Sequence, residues 1–80
     1  MIAVTPAEAL DTALLAAHAE GATDQLVALY AEAADRAAAE GAAEAAAFFR
    51  THAYVFALET GHPLADALHR ALVAAGREDL

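Results

Sequence analysis

The side chains best suited to acid–base or metal chemistry are four histidines and twelve carboxylates. His52 and Glu59 are seven apart, which places them two turns apart on one face of a helix. Such a pair can act as a general acid–base couple, or as two ligands of a metal site completed by another helix. Their ordinary reading is that both sit at the edge of a packed face, with Glu59 reaching water. Glu59 and His62 also have the Glu-x-x-His spacing of carboxylate-bridged metal bundles. Gly61 and Pro63, however, place His62 at a turn, and the spacing occurs once. His62 and His69 are again seven apart, but His62 precedes the last predicted helix and is expected to cap it, while His69 lies on its polar side. His18 falls on the flank of the first. No His-x-x-x-His or His-Glu-x-x-His spacing exists, so neither a metal nor another cofactor is expected. Tyr30, Tyr54, Phe48, Phe49 and Phe56 could line a ligand cavity; aromatics at helical spacing read first as core.

Other chemistries are excluded by composition. The chain lacks cysteine, serine and lysine. There is thus no thiolate or serine nucleophile, no Schiff-base lysine and no lysine-based phosphate site. No nucleophile, base and oxyanion donors assemble, and no catalysis is expected. Four scattered arginines against twelve acids leave a net charge of -8. That field repels phosphate, so neither nucleic acid nor an anionic membrane is an expected partner. No basic n-region opens the sequence, and the longest apolar stretch, Thr51 to Leu58, is far short of the roughly 20 residues of a membrane span. The expected location is the cytoplasm.

The elements that position these residues are helices. About a third of the chain is alanine, and 60% is hydrophobic. Gly21, Gly41 and Gly61 recur every twenty residues, each after an alanine-rich run. Glycine there reads as a helix stop, and the period as one helix per repeat. Thr5, Pro6 and Glu8 form a helix-start signature. The spacing predicts a single all-α domain of four antiparallel helices over about 5–20, 24–40, 42–60 and 63–75, with Pro63 as the first residue of the last helix and 77–80 a frayed tail. The third helix is apolar almost all round. Phe48, Phe49, Val55 and Phe56 occupy one broad face, with Tyr54 and Leu58 pointing the other way. Such a helix is normally surrounded, which places it centrally, against helices 2 and 4 and either helix 1 or another subunit.

Helices 2 and 3 resemble a tetratricopeptide-type (TPR) hairpin over roughly half the chain. Ala34 and Ala37, Ala46 and Ala53 stand where that repeat wants small residues, Gly41 lies at the turn, and Tyr30 can stand for its large residue. Arg50 replaces an expected aromatic, and the second helix overruns the usual length to Pro63. The resemblance implies a packing of helical hairpins, or a small bundle, acting as a protein-interaction module. The expected function is therefore a small acidic interaction module or structural subunit, self-associating as a homodimer. Its expected contact surface is whatever part of Tyr54, Leu58 and Leu15 stays exposed. The alternative is a ligand- or metal-binding bundle using His52 and Glu59 with Phe48, Phe49 and Phe56.

Overall fold

The computed structural model describes residues 5–77. It contains α1 (Pro6–Glu20), α2 (Thr23–Ala39), α3 (Ala43–Thr60) and α4 (Ala65–Ala74), with no strand among the described residues. Thr5 caps α1 by accepting the Glu8 N–H at 3.1 Å. At the other end, Gly21 enters the left-handed region at φ 65°, and the Ala22 N–H reaches back to the Ala17 carbonyl at 2.9 Å. This six-residue closure satisfies a carbonyl that the helix itself leaves unpaired. The same bond recurs from Ala42 to Ala37, from His62 to Ala57 and from Arg77 to Leu72. The twenty-residue glycine period is thus a repeated helix-closing device.

Gly61 isolates its cost. Its φ is 64°, and a Cβ added there would meet nothing within 4 Å. Gly61→Ala is expected to lose about 1 kcal/mol in urea unfolding, wholly from the backbone conformation. A neutral result would mean that the closure is not what ends α3.

The last helix starts later than predicted. His62 to Ala65 form a tight turn, in which the His62 carbonyl accepts the Ala65 N–H at 3.1 Å. Pro63 takes the second position of that turn, which its fixed φ favours, rather than the first position of the helix. The His62 Nδ1 accepts the Leu64 N–H at 3.0 Å, so this imidazole caps the turn leading into α4. The tail expectation also changes at Arg77, whose N–H bonds Leu72 at 2.8 Å and whose guanidinium pairs with Glu44. The remainder of that predicted tail, 78–80, lies outside the described residues.

Contacts run in sequence order. The α2–α3 hairpin is the most extensive interface, α1 lies on α2, and α4 lies on α3. The result is a slab of 48 × 29 × 15 Å. Its radius of gyration is 12.9 Å, against roughly 11.6 Å for a compact chain of this length.

The core is built mainly from alanine. Ala33, Ala34 and Ala37 of α2 and Ala46, Ala47, Ala53 and Ala57 of α3 are buried. Short side chains allow helix axes to approach toward the lower end of the usual range, about 8 Å. Val27, Ala53, Ala57 and Leu68 form one cluster, with Tyr30, Tyr54 and Phe56 packed against it.

That packing corrects the predicted faces of α3. Phe49 and Phe56 are half-buried, whereas Phe48 and Val55 are 58% and 47% exposed. They do not share one buried face. The buried side consists of the alanines, because only they let α2 come close. Tyr54 does not project into solvent either. It packs beside the core, with its ring 5.4 Å from that of His69 on α4.

Candidate functional site

Two groups of side chains, both involving α3, could carry a function. The first is an aromatic cluster with Tyr30 at its centre. Tyr30 projects from α2 between α1 and α3. Its ring lies 5.2 Å from His52, 5.8 Å from Phe56 and 6.3 Å from Phe49. The Tyr30 hydroxyl hydrogen-bonds the His18 Nε2 at 3.0 Å. His18 also meets Phe56 edge-on, so three helices converge on this cluster. Tyr30→Phe keeps the ring contacts and removes only that bond. It is expected to cost about 0.5–1.5 kcal/mol in urea unfolding. Adding His18→Phe to it should cost little more if the pair acts as a unit, and strict additivity of the two losses would show that the bond contributes nothing.

His52 occupies the boundary between this cluster and the outer face of α3. Its Nδ1 lies 2.9 Å from the Phe48 carbonyl. A carbonyl only accepts, so Nδ1 carries the proton and, in the neutral ring, Nε2 holds the lone pair. Glu59 is exposed one turn beyond Val55, and no hydrogen bond or ion pair joins it to His52. Among the described residues, no three His, Asp or Glu side chains gather so as to hold a metal ion. His62 is committed to its turn and His69 stacks on Tyr54. Phe49 and Phe56 pack on Tyr30 rather than lining a cavity with His52 and Glu59.

The second group is the outward face of α3. Phe48 and Leu58 are each 58% exposed, with Val55 between them. The uncharged polar groups on this face, Thr51 and His52, bond back into their own helix. Thr51 donates to the Ala47 carbonyl at 2.8 Å, and His52 to Phe48 at 2.9 Å. A hydroxyl so occupied is less costly to cover, so the face is more apolar than its residue types suggest. Of the three predicted surface residues, Leu58 and Leu15 remain exposed, while Tyr54 belongs to the α3–α4 seam. Phe48 and Val55, expected on one broad face with Phe49 and Phe56 under a neighbouring helix or another subunit, are added to the exposed surface.

Charge is sparse on this face. Glu44 lies at one end and Glu59 at the other. Arg77 reaches over from the end of α4 to Glu44. Its hydrogen bond, and then its charge, hold the Glu44 carboxyl below the ordinary carboxylate range. An open cleft of about 380 Å³ lies here, bounded by Glu44, Phe48, Thr51, His52 and Arg77. Arg50, in contrast, faces α2, with 18% of its side chain exposed, and pairs with Asp35 at 3.5 Å.

No protein-family model, curated protein or solved structure matches this chain. No helix among the described residues is long and apolar enough to cross a membrane.

Proposed function

We propose that the chain is a small, non-catalytic helical module that works by protein–protein contact and associates with itself as a dimer. The observation that carries this reading is the uncovered face of α3. Three large apolar residues, Phe48, Val55 and Leu58, stand exposed on one helix face, where the Thr51 hydroxyl between them bonds back to the Ala47 carbonyl. Contiguous apolar surface of this kind marks an interaction site more often than an idle surface. The small residues behind the TPR resemblance, Ala34, Ala37, Ala46 and Ala53, are all buried in the α2 and α3 helices, which supports a repeat-like interaction scaffold. Four arginines against twelve acids support protein partners rather than nucleic acid or an anionic membrane, for a protein working in the cytoplasm.

Native mass spectrometry followed by denaturing mass spectrometry of the same sample tests the reading. A dimer with no extra mass is the expected result. A monomer at every concentration would overturn self-association. Bound mass released on denaturation would favour a ligand site beside His52, Glu59, Phe48, Phe49 and Phe56 instead.

A further inference from the structure

We infer that α3 packs antiparallel on the α3 of a second copy, an inference that rests on the self-association proposed above. Phe48, Thr51, Val55 and Leu58 follow the spacing of alternate three and four residues that makes a seam between two helices. All four are exposed. The seam is short, spanning two heptads' worth of positions, and is bounded by Glu44 before it and Glu59 after it.

Charge selects the direction. A parallel pair would set Glu59 beside Glu59 and Glu44 beside Glu44, in a chain that already carries a net charge of -8. An antiparallel pair instead sets Phe48 against Leu58 of the second copy and Thr51 against Val55 of the second copy. Each contact then occurs twice about a two-fold axis, as a closed dimer requires. The same register carries Glu59 of each copy to the Ala47 end of the other, where Arg77 lies. Arg77 already holds Glu44, and its guanidinium presents five N–H donors, enough for a second carboxylate. Thr51, at the centre of the seam, has its hydroxyl bonded to Ala47 and is covered without stranding a donor. The occupant is thus a helix with an apolar stripe and a carboxylate at one end, and α3 itself fits that description.

The absence of cysteine makes the register measurable. In the antiparallel pair, position 48 of one copy meets position 58 of the other, while like positions lie about 15 Å apart along the axis, beyond the reach of a disulfide. An equimolar mixture of Phe48→Cys and Leu58→Cys in a glutathione redox buffer is expected to give about tenfold more covalent dimer than either variant alone. Phe48→Cys alone cross-linking as well as the mixture would overturn the antiparallel register. Val55→Asp is expected to weaken dimerisation at least about tenfold by sedimentation while leaving helicity unchanged, because it buries a charge only in the dimer. A wild-type protein that stays monomeric would overturn self-association itself. A wild-type dimer indifferent to Val55→Asp would overturn only the α3 pairing.

Discussion

Leu72→Ala is expected to destabilise the protein by about 2–5 kcal/mol, the usual cost of truncating a buried leucine. Leu72 and Val27 are the two largest fully buried side chains among the described residues, and the other residues buried to that degree are alanines. A chain of 80 residues has roughly 4–12 kcal/mol of stability in total. One leucine therefore represents a large share of it. The loss falls on α4, which has 10 residues, below the roughly 12–15 at which a helix begins to hold on its own. Urea unfolding followed by circular dichroism should show a lower midpoint, and amide exchange should show α4 losing protection first. A loss below about 1 kcal/mol would mean that the Tyr54–His69 stack, not Leu72, anchors the helix.

Ala53→Leu tests the same core from the opposite side. Ala53 is fully buried, in a cluster with Val27, Ala57 and Leu68. Leucine is the more hydrophobic residue and nearly as good a helix former, so hydropathy and propensity predict little harm. The packing predicts a loss of about 1–3 kcal/mol or more, because three added carbons must push α3 away from Val27 of α2 and Leu68 of α4. The control is Ala67→Leu, at an exposed position of α4, which should stay within about 0.5 kcal/mol. Equal effects at the two positions would mean that close approach at Ala53 is not required. Leu72→Ala and this pair thus probe opposite errors of the same core, a lost large side chain and an added one.

The four-helix fold is legible in the sequence because its punctuation is local. Thr5 and the twenty-residue glycine interval are signals whose physics lies within a few residues of themselves. The start of α4 is less legible, because Pro63 fits both a first helical turn and a β-turn. The His62 imidazole, bonded to the Leu64 N–H, settles the matter in favour of the turn. The orientation of α3 is misread for a different reason. Grouping the large apolar residues on one broad face puts Phe48 and Val55 together with Phe49 and Phe56. An alanine-rich pair of helices instead buries its smallest side chains and leaves the large ones beside or outside the contact. The Glu44–Arg77 pair spans 33 positions. No helical period connects such residues, and only the fold brings them together. His52 and Glu59 share a helix and still do not meet, because two helical turns, about 11 Å, exceed the reach of their side chains.

The order of the helices has a mechanical consequence. Because α1 lies mainly on α2 and α4 on α3, a force applied between the chain ends is expected not to load the whole molecule at once. The outer helices, with the smaller interfaces, are expected to peel away first and the α2–α3 hairpin last. Stretched between two attachment points, the protein would lengthen in steps of one helix, with its broadest alanine contact as the final element to give way.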